Sequence, residues 1–163
     1  MTMPARISFE HQAVHEAKTF HFNVEATVAA STAHNVALLC PANNEVHLVV
    51  SVLANNPGKF RIYESPSLDA PGAPVLVYNM KRNASRTPET IVRSGETLTD
   101  VGLLLDVALI GSGTTGATRV GGQVRAGTEW VLSPGGVYLL QWTSGAAEAD
   151  IVLTGEFYEV RPH

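Results

Sequence analysis

Several features that mark secreted, membrane or nucleic-acid-binding proteins are scarce in this sequence of 163 residues. It has one cysteine, Cys40, so no disulfide can form within the chain. No apolar run approaches the roughly 18 residues of a membrane helix. The opening residues lack the apolar segment of a signal peptide, so none is expected. The formal charge of −4 shows no basic excess, so neither nucleic acid nor a membrane is expected as a partner.

Charged residues are also few. They make up 16% of the chain, whereas soluble domains average about 25%. Fourteen glycines and nine prolines accompany this low charge. Such a composition is typical of a turn-rich β protein, and it also suits a protein whose surface is partly covered by neighbours. The length fits one domain with a sizeable core, in which we expect Cys40 to be a small buried residue.

Alternation of apolar and polar residues predicts strands along most of the chain. Residues 20–29 alternate with a period of two, as do residues 46–54 and 59–64. The last two segments flank Asn55-Asn-Pro-Gly58, which predicts a hairpin turn. In total about nine or ten strands are expected, spaced roughly 8–12 residues apart and without a long helix. The pattern predicts an all-β protein, an antiparallel β-sandwich or barrel.

The C-terminal third, Val124 to Val160, contains both tryptophans and three apolar runs. Its first two runs are separated by Ser133-Pro-Gly-Gly, whose proline and glycines suit a chain reversal. We therefore predict a β-meander at the centre of the core. The predicted core residues are Trp130, Leu132, Leu140, Trp142, Leu153 and Phe157.

The remaining segments predict an arm and several loops. Residues 1–19 have no clear period and are expected to form an N-terminal arm, with room for one helical turn around residues 10–18. Residues 20–163 then form a single domain. Ser65–Pro74 contains three prolines and Gly111–Gly122 contains five glycines. We predict that both are loops, the second a Gly-rich one.

Candidate catalytic or ligand-binding groups are weak. His11 and His15 have helical metal-ligand spacing beside Glu16, but no third ligand is evident, and a contact made by the arm is favoured. The Gly-rich segment lacks the Gly-Lys-Ser/Thr ending of a phosphate loop, and its only basic residue is Arg119. Five carboxylates raise a sugar-binding or sugar-cleaving alternative, but nothing pairs them. They are Asp100, Asp106, Glu129, Asp150 and Glu156.

A polar loop that carries Asn79, Lys81, Arg82 and Arg86 is the other candidate site. Its positive charge suits either a solvated loop or a contact with an acidic protein surface, including that of a neighbouring copy. The C-terminal third contains no cluster of nucleophile, base and acid, and no cofactor is expected. These observations favour assembly over catalysis.

Four motifs, in order, resemble those of small structural proteins of tailed bacteriophages. The first is His11-x-x-Val-His-Glu-Ala-x-x-Phe20, similar to His-Glu-Ile-His-Glu-Gly-x-x-Phe. Phe60-x-Ile-Tyr-Glu-x-Pro and Asn79-x-x-Arg-Asn-x-Ser are similar to Leu-Tyr-Glu-Ala-Pro and Asn-Arg-Asn-Ser. The last is Arg125-x-Gly-Thr-Glu-Trp-Val-Leu-x-Pro-x-x-x-Tyr-Leu-Leu with a closing Glu156-Phe-Tyr-Glu. The chain departs from the usual forms at Ala17, at Gly135-Gly-Val, at Gln141 and at Phe157.

This resemblance implies a non-enzymatic decoration or cement protein that binds assembled major capsid protein as a homotrimer. It also implies a jelly-roll-like sandwich, location on the capsid surface of the virion and synthesis in the host bacterial cytoplasm. His11, His15, Asn79, Lys81, Arg82, Arg86 and Arg119 are the candidate capsid or subunit contacts. The alternatives are another virion component, such as a tail, fibre or head-to-tail connector protein, or a carbohydrate-binding module.

Overall fold

The computed structural model describes residues 14–111 and 128–161, which contain thirteen β-strands. His11, Arg119 and the Gly-rich segment after Gly111 lie outside the described residues. Strand accounts for about 62% of the described part, and its only helical residues are Val14 and His15. The strands are β1 (Thr19–Val28), β2 (Ala33–Leu39), β3 (Glu45–Ala54), β4 (Gly58–Glu64), β5 (Ser67–Ala70), β6 (Ala73–Pro74), β7 (Val77–Asn79), β8 (Ile91–Ser94), β9 (Thr97–Asp100), β10 (Leu103–Ile110), β11 (Trp130–Leu132), β12 (Val137–Ser144) and β13 (Ala149–Val160).

Two antiparallel sheets enclose one hydrophobic core, so the prediction of an all-β, sandwich-like protein is confirmed. The five-stranded sheet has the order β11-β3-β13-β1-β7, and the six-stranded sheet has the order β10-β4-β12-β2-β8-β6. A third, two-stranded sheet pairs β5 with β9. The core combines side chains from both larger sheets, which is how a sandwich buries one face of each sheet.

Alternation of residue type decides which face of each strand enters this core. In β1, Phe20, Phe22 and Val24 are buried, whereas Asn23 and Glu25, which follow Phe22 and Val24, are exposed. Across the ladder Phe22 faces Gly155 of β13, where a Cβ atom would lie 2.2 Å from the phenylalanine ring. Gly155 therefore provides the space that the Phe22 ring fills.

The predicted core residues and Cys40 lie where they were expected. Leu132, Leu140, Trp142, Leu153 and Phe157 are at most 1% exposed. Trp130 is partly buried and packs against the core from the edge strand β11. Cys40 is buried as well.

The predicted hairpin at Asn55-Asn-Pro-Gly58 is wrong, because β3 and β4 lie in different sheets. The turn carries the chain from one sheet to the other. The Asn55 side chain exchanges hydrogen bonds with Asp150, and Asn56 Nδ2 donates to the Glu148 carbonyl at 2.6 Å. These contacts fix the turn against the start of β13, while Gly58 lies directly beneath the Trp142 ring.

The predicted meander is wrong for the same reason. β11 pairs with β3, β12 pairs with β2 and β4, and β13 pairs with β1 and β3. Successive strands therefore alternate between the sheets instead of pairing with one another. β13 buries mainly alternate side chains, whereas β12 is buried on both faces, and their placement in opposite sheets lets both strands contribute to the core.

Residues 65–74, predicted to be a loop, contain the short strands β5 and β6. The β5–β9 ribbon connects the β4–β10 pair on one side of the six-stranded sheet to the β6–β8 pair on the other. It therefore crosses the outer side of β12 and β2. Ala37 and Leu139 are fully buried there although neither belongs to the core between the sheets. Leu68 and Leu98, a half-buried cross-strand pair, are the side chains suited to cover them.

Candidate interaction surfaces

Asn79 joins the segment before β1 to the basic loop, which we define as residues 79–88. Its Nδ2 donates to the Ala17 carbonyl at 2.8 Å and to the Arg86 carbonyl at 3.1 Å. Its Oδ1 accepts from the Lys81 backbone amide at 2.9 Å. The Asn79 side chain therefore has a structural role at this site, and its amide is fully used within the chain.

Two predicted contact segments, far apart in sequence, meet at this point. Lys81 Nζ donates to the His15 carbonyl at 2.9 Å, and the Met80 amide donates to the Thr19 carbonyl at 2.9 Å. Residues 15–19 thus lie alongside the basic loop. A partner that recognises one segment would also touch the other.

The far end of the basic loop is fastened to a buried carboxylate. The Glu159 side chain is 0% exposed, and its Oε1 accepts from the Glu89 amide, the Thr90 amide and the Thr90 hydroxyl at 2.7–2.9 Å. Arg86 Nη2 lies 3.9 Å from the other oxygen. Arg86 therefore lies near the buried Glu159 carboxylate although its own side chain is 38% exposed, and Arg82 is exposed as well.

An open cleft of about 500 Å³ lies at the β7 edge. Its lining consists of His21, Tyr78, Asn79, Met80 and Arg82. The Arg82 guanidinium lies over the Tyr78 ring, 5.3 Å from its centroid, a distance suited to a cation–π contact. Tyrosine, arginine and methionine are enriched at protein interfaces, so this edge has the composition of a binding surface.

A second cluster, unpredicted from the sequence, lies at the opposite edge of the five-stranded sheet. We call it the Glu129 cluster; it comprises Glu45, His47, Glu129 and Tyr158. The Tyr158 hydroxyl donates to Glu129 Oε1 at 2.5 Å, and His47 Nδ1 lies 3.0 Å from the same hydroxyl. The His47 and Tyr158 rings stack with centroids 4.5 Å apart. Only strand pairing brings these residues together, so no local sequence pattern reveals them.

The third surface is the β10 row, which comprises Leu103, Leu104, Val107 and Leu109. These side chains are 64%, 48%, 49% and 74% exposed. β10 is an edge strand of the six-stranded sheet, with β4 as its neighbour. A bulge lies between Leu104 and Asp106, and Asp106 Oδ1 accepts from the Val107 amide. Bulges and edge carboxylates limit uncontrolled strand pairing. A partner would therefore contact β10 through its side chains more readily than by adding a hydrogen-bonded strand to its edge.

Three titratable groups away from these surfaces have shifted pKa values that fit structural roles. Burial, followed by the nearby Glu159 charge, raises the pKa of the Cys40 thiol to about 12. Burial also lowers the pKa of His34 and raises the pKa of Tyr138. A thiol with such a pKa stays protonated at neutral pH and is a poor nucleophile.

The other candidates from the sequence have separate local surroundings. Asp100 accepts a hydrogen bond from the Gly102 amide, and Asp106 accepts one from the Val107 amide. Asp150 accepts hydrogen bonds from the Thr27 hydroxyl and the Asn55 side-chain amide. Glu156 lies near His21, and Glu129 contacts Tyr158. Among the described residues no group of three or more His, Cys, Asp or Glu is arranged to hold a metal ion. Within residues 14–111 and 128–161, no helix is long and apolar enough to cross a membrane.

Replacing Ala17 by glycine is expected to stabilise the protein. Ala17 has a φ of 58°, a left-handed conformation that costs a residue with a Cβ about 1 kcal/mol relative to glycine. The similar phage motif has glycine at this position. We expect the free energy of unfolding to rise by about 0.5–1 kcal/mol, measured by denaturant unfolding. Ala30, which is not among the residues with positive φ, is the control: Ala30→Gly should be neutral or destabilising, and an equal gain there would contradict the explanation.

The chain matches no protein-family model and no curated protein. Its function is therefore inferred from the three surfaces described above and from the motifs in its sequence.

Proposed function

We propose that the protein is a non-enzymatic structural component of a tailed-bacteriophage virion. In this proposal a jelly-roll-like homotrimer binds the assembled shell of major capsid protein and stabilises it, as a decoration or cement protein does. It is made in the host bacterial cytoplasm and ends up on the capsid surface. The motif series in the sequence supports this assignment, and the surfaces of the sandwich suit a protein that acts by binding.

The β10 row is the observation that carries the proposal. Leu104, Val107 and Leu109 lie opposite Tyr63, Arg61 and Lys59 of β4 and so share one face. Monomeric soluble proteins rarely leave several large aliphatic side chains together in water, and such patches mark interaction sites. Burying one leucine-sized side chain contributes roughly 1.5–3 kcal/mol. The row can therefore supply substantial binding free energy without any chemical step.

Shell stabilisation follows from many such contacts acting together. A ligand that binds the assembled shell but not its dissociated subunits stabilises the shell by mass action. Symmetric copies add their contributions around each junction, so moderate individual affinities are sufficient. The low charge of the chain, 16%, is consistent with a surface that is partly covered in the particle.

Charge introduced into the β10 row is expected to abolish shell binding. The double variant Val107→Lys, Leu109→Lys places two cations where aliphatic groups are proposed to be buried, and we expect about 100-fold weaker binding. Co-sedimentation with expanded capsids lacking the protein measures the loss. Ile91→Lys is the matched control, because Ile91 is similarly exposed on β8, away from β10.

Shell stability provides the functional readout. Capsids that carry the wild-type protein should survive higher temperature or osmotic shock than bare capsids, and the double variant should give no protection. Equal stability of shells with and without the wild-type protein would refute the cement role. Hundreds of copies per particle are expected, whereas about a dozen or fewer would indicate a connector or tail component instead.

A further inference from the structure

We propose that copies of this chain join head to tail through opposite edges of the five-stranded sheet. The β7 edge of one copy would lie against the β11 edge of the next, and the series would close into a ring. The inference rests on the proposed homotrimer, for which it names the contact. It assigns the Glu129 cluster and the Tyr78–Arg82 surface to the two sides of one interface.

The topology makes the two edges available and correctly oriented. β7 and β11 stand at the ends of the order β11-β3-β13-β1-β7, and each has three residues. Four antiparallel steps separate them, so both strands run in the same direction. Rotation about an axis along the strands preserves that direction. Neighbouring copies in a ring would therefore bring β7 and β11 side by side as a heterologous contact, which closes when the rotation fits.

The charges of the two edges are complementary. Lys81 and Arg82 follow β7 and are exposed, and the Arg82 guanidinium lies over the Tyr78 ring. The opposite edge carries Glu129 immediately before β11 and Glu45 at the start of β3. Opposite charges on different patches favour head-to-tail contact and disfavour contact of either edge with itself.

Apolar side chains accompany the charges on both edges. Tyr78 and Met80 are exposed beside Arg82, and Val131 is 55% exposed in the middle of β11. An apolar centre flanked by charged groups is the usual anatomy of a protein interface. The pairing of these two edges would cover all three side chains.

Both edges are held in place before any contact forms. The Tyr158 hydroxyl, itself 3.0 Å from His47 Nδ1, donates to the Glu129 carboxylate, and the Tyr78 ring supports the Arg82 guanidinium. Side chains that are already ordered lose less entropy on association. The Glu129 cluster and the Tyr78–Arg82 surface, which have no evident catalytic use, would therefore both serve to form this contact.

The first test measures the mass of the purified protein, without capsid, by light scattering and sedimentation velocity. The wild type is expected to be a closed oligomer, and Arg82→Glu or Glu129→Lys should raise its dissociation constant about tenfold or more. The double variant, in which the two charges are exchanged, should recover assembly. A monomeric wild type, or single variants that assemble as well as the wild type, would overturn the proposal.

Crosslinking tests the contact without disturbing its charges, in case Glu129→Lys weakens the fold. A chain carrying both Tyr78→Cys and Val131→Cys should form disulfide-linked trimers under oxidation. Within one chain the two positions are about four strand spacings, or roughly 19 Å, apart, too far for a disulfide. The native Cys40 is buried, so it adds little background.

Single-cysteine chains provide the control for direction. Neither Tyr78→Cys nor Val131→Cys alone should crosslink to itself, whereas a mixture of the two should give dimers. Self-crosslinking of either variant, or assembly lost only on mutation of the β10 row, would indicate a different contact and refute the head-to-tail ring. These experiments contain no capsid, so a negative result would refute the head-to-tail contact without testing shell binding. Loss of shell binding would likewise leave the oligomer mass and the crosslinking pattern unchanged.

Discussion

Replacing Glu159 by leucine is expected to lower the free energy of unfolding by about 3–5 kcal/mol, one of the largest effects of any single substitution in the chain. Glu159 Oε1 accepts three hydrogen bonds from Glu89 and Thr90. Leucine removes that acceptor and leaves buried donors without a partner, at about 1–3 kcal/mol for each orphaned group. For a domain of this size the loss corresponds to a fall in Tm of roughly 10 °C, measurable by calorimetry.

Two further variants separate this explanation from a general effect of mutating β13. Glu159→Gln retains a carbonyl oxygen at the same place, so its loss should be smaller than that of the leucine variant. Glu156→Gln changes an exposed carboxylate three residues earlier on the same strand, and we expect a change within about 0.5 kcal/mol. A leucine variant as stable as the wild type would show that the three hydrogen bonds only offset the cost of burying the carboxylate.

Replacing Trp142 by alanine is the second large prediction, with an expected loss of about 3–5 kcal/mol. Trp142 is fully buried. Its Nε1 donates to Ser144 Oγ, which in turn donates to the Val28 carbonyl in the other sheet. The substitution would leave a cavity where the chain crosses between sheets, and it would also remove the hydrogen bond from Trp142 to Ser144. Denaturant unfolding followed by circular dichroism measures the loss.

Trp130 is the matched control, since it is the other tryptophan and lies only partly buried on the edge strand β11. Trp130→Ala should cost clearly less than Trp142→Ala. It should instead affect self-association if the β11 edge is an interface. A larger loss of stability for Trp130→Ala than for Trp142→Ala would contradict the greater contribution expected from the fully buried side chain.

The core and the strands were predictable from the sequence because the pattern of apolar residues within a short segment indicates which of its side chains are buried. Phe22 and Val24 are apolar at alternate positions of a segment, and that period alone predicts the strand and its inward face. Cys40 was expected in the core because it ends an apolar run, and Leu153 because it lies in one. These predictions depend only on neighbours within a few positions.

The sites were less predictable because they depend on pairing between distant segments. The basic loop was recognisable from its composition, yet its sequence does not distinguish Arg86, held by Glu159, from Arg82, which is supported on Tyr78. The Glu129 cluster had no sequence signal, since His47 and Tyr158 are 111 residues apart.

The sequence by itself determined an all-β protein, most of its core and the absence of an obvious catalytic motif. Only the tertiary structure decided which strands pair, because an amphipathic strand fits either sheet and its local pattern is the same in both. That choice turned the expected hairpin at Asn55-Asn-Pro-Gly58 into a crossing between sheets and divided the C-terminal third between them. The same choice set the basic loop and the Glu129 cluster on opposite edges of one sheet, because strand order is decided by packing between distant segments and not by any local pattern.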